Sequence, residues 1–353
     1  MIRESIQKLI DGSDLAYEEA TQAMMEIMSG KATNAQIAAF LTALRMKGET
    51  VEEITAFAEV MRKNCCRIKP HVEGRLVDTC GTGGDKIKTF NVSTASAFVV
   101  AGAGVAIAKH GNRSVTSRCG SADVLERFGF DLTIEPAVVK KTIEQIGIGF
   151  MFAPAFHPAM KYAVEPRREL GIRTVFNVLG PLANPACANA QVLGVYDSKL
   201  TGTLACALKK LGCEEAMVVH GLDGLDEVST IGKTKIAHLK EGAVETFETT
   251  PADFGIKQAR FEDIQGTTPD ESAEIVFKIL NGYVSGNDPK REMVLVNAAA
   301  GVVVGGKAEA FSDGMELARE SIHSGAAYKK LKMLVKASGG NLSKLEELES
   351  KYA

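Results

Sequence analysis

The segments Leu76-Val-Asp-Thr-Cys-Gly-Thr-Gly-Gly-Asp85, Phe90-Asn-Val-Ser-Thr94 and Val105-Ala-Ile-Ala-Lys109 decide the fold class of this chain. The first and the third begin with short apolar runs, and the second leads into a helical run over residues 95–100. Each apolar run passes directly into glycine or polar residues, as strands do where they leave a sheet. This alternation of strand and helix predicts an α/β domain with a mainly parallel central sheet that helices cover on both faces.

The pattern continues toward the C-terminus. Further strands are predicted at Gly149–Phe152, Val192–Val195 and Ala216–Val219, a hairpin at Thr234–Glu248, helices at Leu200–Leu211 and Ser272–Leu280, and a charged, exposed helix at Leu342–Ala353. Ligands of such sheets bind outside the carboxyl ends of the strands. The loops that follow the strands are therefore the place to look for chemistry.

The N-terminal part reads differently. Thr33 with Gln36, and Thr50 with Glu53, have the spacing of capping boxes, and Gly30 and Gly48 stand where helices should end. No strand is predicted before Pro70. We therefore expect a small α-helical domain over residues 1–72 and a large α/β domain over residues 73–353.

Composition narrows the classes of function. A length of 353 residues suits two domains, and a net charge of −3 argues against a nucleic-acid binder. The seven cysteines include no CxxC pair, so neither a disulfide framework nor a zinc site is predicted. The N-terminus lacks a signal-peptide pattern, and the apolar runs at Phe98–Ala108 and Val294–Gly306 are too short to span a bilayer. These features predict a cytoplasmic protein.

Two glycine- and hydroxyl-rich clusters fit phosphate binding. Gly81, Gly83 and Gly84 free the backbone to approach an anion, although tight turns use the same residues. Ser93 and Thr94 stand at the start of a predicted helix, where unpaired N–H groups favour a phosphate. Taken alone, the second cluster is better explained by a plain helix cap.

Two charged clusters complete the set. The loop Lys109-His-Gly-Asn-Arg-Ser-Val-Thr-Ser117 carries two cations and three hydroxyls after a strand, which is typical of a polyanion site. In Asp223-Gly-Leu-Asp-Glu-Val-Ser229, the adjacent Asp226 and Glu227 offer oxygen ligands suited to Mg²⁺. Ordinary surface charge is the alternative interpretation of the acidic pair.

These clusters stand in a fixed order along the chain: GTGGD from Gly81, FNVST from Phe90, KHGNRSVTSRCGSAD from Lys109, RRELGIRTVFNVLGPLANP from Arg167 and HGLDGLDEVS from His220. In this order they resemble the anthranilate phosphoribosyltransferase family over essentially the whole chain. The resemblance implies transfer of a phosphoribosyl group from phosphoribosyl pyrophosphate (PRPP) to anthranilate in tryptophan biosynthesis, with Mg²⁺ as cofactor. It also implies the family's fold, a small helical domain hinged to a large α/β domain as in pyrimidine nucleoside phosphorylases.

The resemblance carries the family's site residues onto this chain. PRPP is expected to bind Gly81, Gly84, Asp85, Thr89, Asn91, Val92, Ser93, Thr94, Lys109, His110, Gly111, Asn112, Arg113, Ser114, Val115, Thr116, Ser117 and Ser121. Mg²⁺ is expected on Ser93, Asp226 and Glu227. Anthranilate is expected to contact Gly81, His110, Asn112, Arg167, Gly180 and Pro181, and the catalytic group is expected to comprise Lys109, His110, Asn112 and Arg167.

Several implications concern roles and assembly. Arg167 fits the anthranilate carboxylate, although its neighbour Arg168 could exchange roles with it. Helices around residues 157–178 are expected to return to the small domain. The family is usually a homodimer, and contact with an anthranilate synthase is a further possibility. An aromatic amine is neutral at pH 7, so no strong base is needed, and His110 is only a candidate for accepting the late proton.

Two other functions compete with this interpretation. A pyrimidine nucleoside phosphorylase would share the architecture, but the segment that begins at Arg167, together with the GTGGD loop, favours the transferase. A non-enzymatic nucleic-acid-binding relative would call for a basic surface, and this chain is slightly acidic.

Overall fold

The structure is a computed structural model, and it describes residues 1–84, 87, 89–114, 119–266 and 268–352. Four residues expected in the PRPP site, Asp85, Val115, Thr116 and Ser117, lie outside the described residues.

The N-terminal part is a bundle of four helices: α1 (Ile2–Ile10), α2 (Tyr17–Met28), α3 (Asn34–Lys47) and α4 (Val51–Lys63). Both predicted capping boxes are confirmed. The Thr33 Oγ1 accepts a hydrogen bond from the Gln36 N–H at 3.3 Å, and the Gln36 Oε1 accepts one from the Thr33 N–H at 3.0 Å. Thr50 and Glu53 make the same reciprocal pair at the start of α4.

A seven-stranded sheet forms the centre of the rest of the chain. Its strands are β1 (Leu76–Gly81), β2 (Ala106–Gly111), β3 (Ile148–Phe152), β4 (Ala190–Gly194), β5 (Glu215–Gly221), β6 (Thr234–Lys240) and β7 (Ala243–Thr249). The order is β3-β2-β1-β4-β5-β6-β7. The first five strands in this order are parallel to one another, β6 is antiparallel to β5, and β7 is antiparallel to β6. The predicted parallel sheet and the predicted hairpin are both confirmed.

The helices that follow α4 are α5 (Val92–Gly102), α6 (Ser121–Arg127), α7 (Pro136–Ile146), α8 (Ala153–Phe156), α9 (Lys161–Leu170), α10 (Phe176–Leu182), α11 (Leu200–Lys210), α12 (Pro269–Leu280), α13 (Pro289–Val304), α14 (Phe311–His323), α15 (Ala326–Ala337) and α16 (Ser343–Tyr352). Of these, α5 and α13 pack on one face of the sheet and α11 packs on the other. Side chains alternate between the two faces along each strand. Val192 packs into the core built on α5 and α13, whereas Leu193 packs into the core shared with α11 and the N-terminal helices.

The segment after His157 contacts the N-terminal bundle. Helix α9 packs against α2 and α3, and α10 packs against α4. The Asn34 side-chain amide donates a hydrogen bond to Glu165 at 3.1 Å. Arg62 in α4 donates to the carbonyl oxygens of Leu182 and Leu211 at 2.7 and 3.1 Å. The division into two domains at residue 72 stays a prediction.

The C-terminal helix departs from its prediction as a simply exposed element. Leu345 in α16 is fully buried, and Lys351 forms an ion pair with Glu274 at 2.7 Å. The Tyr352 ring lies 6.2 Å from the ring of Phe277. Charged residues dominate the sequence of α16 and hide the apolar side that packs on the domain. None of the helices in the described part of the chain is long and apolar enough to span a bilayer.

Candidate active site

A cleft of about 320 Å³ lies at the carboxyl ends of the parallel strands. This is where an α/β sheet positions its ligands. It is lined by eighteen of the residues expected in the site: Gly81, Gly84, Thr89, Asn91, Val92, Ser93, Lys109, His110, Gly111, Asn112, Arg113, Ser114, Ser121, Arg167, Gly180, Pro181, Asp226 and Glu227.

The glycines after β1 allow the acidic loop to approach the sheet closely. Gly81 pairs with Gly194 of β4, and Asp226 lies over both. A methyl group on Gly81 would stand 2.6 Å from the Asp226 Oδ2, and one on Gly194 would overlap the Asp226 carbonyl oxygen. The Gly83 N–H donates to the Asp226 Oδ2 at 2.9 Å. The absence of side chains at both strand ends thus brings a carboxylate to the glycine loop.

Helix α5 points its first turn at the cleft. Its N-cap, Asn91, makes no side-chain cap bond, and instead its Oδ1 accepts a hydrogen bond from the Ser272 hydroxyl at 2.7 Å. The first N–H groups of a helix have no partner within the helix. Ser93 and Thr94 lie inside the first turn and not at the N-cap, so the interpretation of these two residues as the helix cap is wrong. N–H groups in such a turn can bind an anion.

Thr94 requires a correction. Its side chain is fully buried and does not line the cleft. It lines instead a small internal space that Lys109 also borders. The reason is helical periodicity, which turns Thr94 toward the sheet while Ser93 faces the cleft. Only the main chain of Thr94 can serve a ligand there.

Lys109 is nearly buried at the end of β2. Its ammonium group donates to the Thr79 carbonyl oxygen and to the Ser93 Oγ, the latter at 3.3 Å. Burial lowers the pKa of Lys109, while the charges of Asp78 and Glu227 oppose that shift. A cation held this way meets a phosphate with little rearrangement.

His110 is fixed against α10. Its Nδ1 lies 3.2 Å from the Gly180 carbonyl oxygen, which can only accept, so the Nδ1 carries the proton. The Nε2 has no hydrogen-bond partner within the described ranges. Burial lowers the pKa of the imidazole to about 3, so the ring is neutral at pH 7 and is a weak base.

The loop after β2 is held by acidic residues of α6. Arg113 forms ion pairs with Glu126 and with Asp123, the latter at 3.2 Å. The Ser114 N–H donates to the Asp123 carboxylate at 3.1 Å, and the Ser121 hydroxyl donates to the Asn112 carbonyl oxygen at 3.4 Å. The Arg113 side chain therefore stabilises the loop from outside the cleft centre.

The two neighbouring arginines of α9 have different surroundings. Arg167 lines the cleft with its guanidinium 5.2 Å from the centre of the Phe176 ring, and burial lowers its pKa. It forms no salt bridge with any residue that the structure describes. The Arg168 side chain is 76% exposed, lies 3.9 Å from Glu165 and does not line the cleft.

Asp226 and Glu227 offer carboxylates at the cleft wall, and Asp226 is only 8% exposed. Within the described residues no group of three or more His, Cys, Asp or Glu side chains could enclose a metal. Mg²⁺ is commonly held by one or two carboxylates together with substrate phosphates and water, and Asp226 and Glu227 supply two carboxylates. The residues present therefore fit a magnesium ion that arrives with a phosphorylated ligand.

Sequence reasoning did not select part of the site. Gly83, one of the three glycines expected to approach an anion, lines the cleft as well. The lining residues that were not selected are Cys80, Thr82, Phe90, Cys119, Gly120, Ala153, Phe176 and Asn177. Cys80, Thr82, Phe90 and Gly120 adjoin selected positions, so the neighbouring motifs already marked these loops. Phe176 and Asn177 begin α10, and their sequence has no chemical signature of a site.

Sequence reasoning also gave no role to a buried pair beneath the cleft. The Asp78 carboxylate accepts hydrogen bonds from the Asn184 side-chain amide at 2.7 Å and from the His110 N–H at 3.2 Å. Burial raises the pKa of Asp78 to about 6, against the opposing charge of Lys109. The feature of the sequence that could have indicated this pair is Asp78 itself, a charged residue in a buried strand.

Comparison with known proteins gives a consistent result. Residues 73–328 match the family model described as the glycosyl transferase family a/b domain, and residues 3–65 match that family's helical bundle domain. The chain is 51% identical over 341 residues to the anthranilate phosphoribosyltransferase of Desulfosudis oleivorans, covering 97% of this chain and all of that protein.

Solved structures agree. The crystal structure of anthranilate phosphoribosyltransferase from Thermus thermophilus has a TM-score of 0.88 and 40% identity, covering 95% of this chain and 99% of the other. The structure of the Saccharomyces cerevisiae enzyme in complex with PRPP and Mg has a TM-score of 0.88 and 31% identity, covering 96% of this chain and 98% of the other. By fold, by the placement of its cleft residues and by these similarities, the chain belongs to the anthranilate phosphoribosyltransferase family.

Proposed function

We propose that this protein transfers the 5-phosphoribosyl group of PRPP to the amine of anthranilate, giving N-(5-phosphoribosyl)anthranilate and pyrophosphate in tryptophan biosynthesis. One observation carries the proposal. A single cleft joins the glycine loop after β1, the cationic loop after β2, the carboxylates of Asp226 and Glu227, and the guanidinium of Arg167. A polyphosphate and an aromatic carboxylate need this combination of groups.

PRPP is assigned to the glycine loop, to the first turn of α5 and to the loop after β2. The support is the set of N–H groups at the start of α5 and the buried ammonium of Lys109 beside Ser93. Thr89, Asn91, Val92, Gly111 and Ser121 line the same wall. Asp85, Val115, Thr116 and Ser117 belong to this assignment on resemblance alone.

Ser93, Asp226 and Glu227 would hold Mg²⁺. Bound there with PRPP, the ion would neutralise charge that develops on the departing pyrophosphate. The fit of the two carboxylates to a metal that keeps water and phosphate ligands supports this assignment.

Anthranilate is assigned to the part of the cleft nearer the N-terminal bundle. Arg167 would pair with its carboxylate, and Phe176, Gly180 and Pro181 would face its ring. Gly81, His110 and Asn112 would lie between the two substrates. The lack of an ion-pair partner for Arg167 in the described part of the chain supports its assignment over Arg168.

The reaction forms a bond from the anthranilate nitrogen to the ribose C1′ and breaks the bond from C1′ to the pyrophosphate oxygen. The ribose becomes oxocarbenium-like, and attack from the opposite face inverts the configuration. Lys109 stabilises the leaving group more strongly as its charge develops. The proton on nitrogen departs late, and the low pKa of His110 makes that residue a positioning group rather than a strong base. Positioning and charge stabilisation would do most of the catalysis.

Assembly and location belong to the same proposal. We infer a small helical domain over residues 1–72, joined by the helices near 157–178, that closes on the large domain over residues 73–353. Closure would align the amine with C1′ and exclude water that could hydrolyse PRPP. We further propose a cytoplasmic homodimer, with an anthranilate synthase as a possible partner.

The test is a fluorescence assay of anthranilate consumption in the presence of PRPP and Mg²⁺. The double variant Asp226→Asn, Glu227→Gln is compared with the charge-matched control Glu245→Gln, Glu248→Gln on β7. We expect signal loss that needs all three components, slows at least a hundredfold in the first variant and is unchanged in the control. A folded wild-type protein that leaves the anthranilate signal constant would overturn the proposal.

A further inference from the structure

A polar side chain lies among apolar ones in helix α13. Asn297 is 2% exposed, and every residue of the helix from Met293 to Val304 is buried. Asparagine is unfavourable inside a helix, because its amide competes for backbone hydrogen bonds. A buried amide is also costly unless it is hydrogen-bonded. The partners of Asn297 therefore indicate what this side chain does.

The amide of Asn297 binds both backbone groups of Val228. The Val228 N–H donates to the Asn297 Oδ1 at 2.9 Å, and the Asn297 Nδ2 donates to the Val228 carbonyl oxygen at 3.0 Å. The same Nδ2 donates to the Met293 carbonyl oxygen one turn back, at 2.9 Å. A neighbouring strand would bind Val228 in the same reciprocal way. Two such bonds fix the orientation of the residue that directly follows Asp226 and Glu227.

The same turn of α13 is bonded to α5, whose first turn carries Ser93. The Ser96 hydroxyl donates to the Val294 carbonyl oxygen at 3.2 Å in a buried contact. Val294 and Asn297 lie three positions apart, within one turn of the helix. One turn of α13 thus binds both segments that supply the proposed magnesium ligands.

The acidic loop, residues 222–233 between β5 and β6, is also held by other contacts. The Ser229 hydroxyl donates to the Asp223 carboxylate within the loop. Val228 is fully buried, so apolar packing anchors the loop on the core. The bonds from Asn297 add a fixed orientation of the backbone from which the two carboxylates project.

We propose that Asn297 is a positioning residue for the transfer reaction. It acts through Val228, and it holds the carboxylates of the acidic loop at a fixed distance from Ser93. Mg²⁺ demands a near-ideal octahedral arrangement of its ligands, so a small displacement of the carboxylates weakens its binding. Asn297 itself does not line the cleft. This inference rests on the proposed function, because the magnesium ligands are assigned there.

The test is calorimetric titration with inorganic pyrophosphate, with and without Mg²⁺. Asn297→Leu keeps the volume of the side chain and removes its hydrogen bonds. We expect Mg²⁺ to tighten binding to the wild type, and this gain to be about tenfold smaller in the variant, as for other residues that orient metal ligands. Without Mg²⁺ the two proteins should bind pyrophosphate equally. A variant that loses affinity equally with and without Mg²⁺ would overturn the inference.

A second variant covers the case in which Asn297→Leu does not fold. In Asn297→Ser the hydroxyl can still bond to the Met293 carbonyl oxygen one turn back, as serine does inside helices. Both bonds to Val228 are lost. The gain from Mg²⁺ should therefore fall in this variant as well, and a gain equal to that of the wild type would contradict the proposal.

Amide hydrogen exchange of the metal-free protein supplies a readout that is independent of metal and turnover. The Val228 N–H should exchange about tenfold faster in both variants, because its acceptor is gone. The control is Ser321→Ala, which removes a buried hydrogen bond to the Val99 carbonyl oxygen. It should lower the melting temperature and leave the Val228 exchange and the Mg²⁺ gain unchanged. Unchanged exchange in the Asn297 variants, or an equal loss of the gain in the control, would refute the positioning role.

Failure of this inference differs from failure of the proposed function. If the wild type binds magnesium pyrophosphate but does not consume anthranilate, the proposed function fails, and the titrations still decide the role of Asn297. If anthranilate is consumed but the gain from Mg²⁺ is the same in Asn297→Leu, the inference fails and the proposed function stands. Wild-type binding that Mg²⁺ does not change would overturn the magnesium assignment and the inference together.

Discussion

Arg167 and Arg168 show how a helix gives adjacent identical residues different roles. A step of one residue turns about 100° around the axis, so only one of the two can face the cleft. The sequence leaves both open as the carboxylate partner, because the two side chains have the same chemistry. The choice depends on how α9 lies against α2 and α3, which is a matter of tertiary packing.

The arginine pair gives the first prediction. Arg167→Ala should raise the Michaelis constant for anthranilate by about 10- to 100-fold, since a charge-assisted hydrogen bond to a carboxylate contributes about 1.5–3 kcal/mol. Arg168→Ala is the matched control and should change it less than twofold. Steady-state kinetics at saturating PRPP would measure both, and a larger effect from Arg168→Ala would reverse the assignment.

His110 gives a prediction in pH. Its pKa is about 3 in the folded protein and about 6.5 in an unfolded chain, so below pH 6.5 the unfolded state binds more protons. The free energy of unfolding should therefore fall as the pH falls, by up to about 1.4 kcal/mol per pH unit from this residue. His110→Asn should remove that contribution between pH 6.5 and 4.

Urea unfolding of both proteins across this pH range makes the comparison. Asp78, whose pKa is raised to about 6, has the opposite pH dependence, but it is present in both proteins and largely cancels. Equal pH slopes for wild type and variant would mean that His110 is protonated normally in the fold. A hundredfold loss of turnover in His110→Asn with unchanged Michaelis constants would overturn the positioning role.

At the scale of elements, the contact between α5 and α13 depends on a glycine inside a helix. A methyl group on Gly301 would stand 2.7 Å from the Val100 Cγ2, in a fully buried interface. Valine is stiff at χ1 and cannot turn aside easily. In α11, Gly202 has open space where its Cβ would lie.

These two glycines should respond oppositely to the same substitution. Gly301→Ala should lower the free energy of unfolding by about 1–2 kcal/mol, since overpacking outweighs the gain in helix propensity. Gly202→Ala should leave it unchanged or raise it by up to about 1 kcal/mol. Chemical denaturation would test both, and a stabilised Gly301→Ala would show that α13 can shift away from α5.

The existence of most elements could be predicted, because apolar periodicity and capping residues are local signals. The five parallel strands, the hairpin and both capping boxes belong to this group. The buried hydrogen bond between Asn184 and Asp78 could not be predicted, since the two residues lie 106 positions apart in the chain. The packing of α16 was missed for the same reason, because its partners lie on α12 and α15.

At the scale of the whole molecule, Arg62 links the N-terminal bundle to the sheet domain. Its guanidinium lies at the C-terminal ends of both α10 and α11, where carbonyl oxygens lack helical partners. Burial lowers the pKa of Arg62, because it removes water from the guanidinium. The hydrogen bonds to the two carbonyl oxygens offset part of that loss of hydration. A single side chain thus caps two helices of the other unit.

Removal of this link is the fourth prediction. Arg62→Met should lower the free energy of unfolding by about 2–4 kcal/mol, from two charge-assisted hydrogen bonds. Lys63→Ala is the control, because Lys63 is 63% exposed and its pair with Glu59 spans 3.7 Å. Calorimetry would measure both variants, and similar small losses would mean that packing alone joins the units.

The order of the motifs along the chain was enough to predict the overall architecture and the location of the cleft. The relative placement of the two units was not accessible in this way, since it depends on contacts such as that of Arg62 with two distant carbonyl groups. Asp85, Val115, Thr116 and Ser117 lie outside the described residues, and their assignment to the proposed PRPP site rests on resemblance alone.

The close packing of Asp226 over the paired glycines Gly81 and Gly194 limits how this enzyme can change by mutation. Any single substitution at position 81 or 194 puts a side chain into Asp226. At position 194 relief would require a new path for the acidic loop, because the side chain would meet the Asp226 backbone. At position 81 relief would require the Asp226 carboxylate to turn away. Either change moves the carboxylate from its present place. The three positions can therefore diverge only together, so a lineage that retains the carboxylate in this position retains both glycines with it.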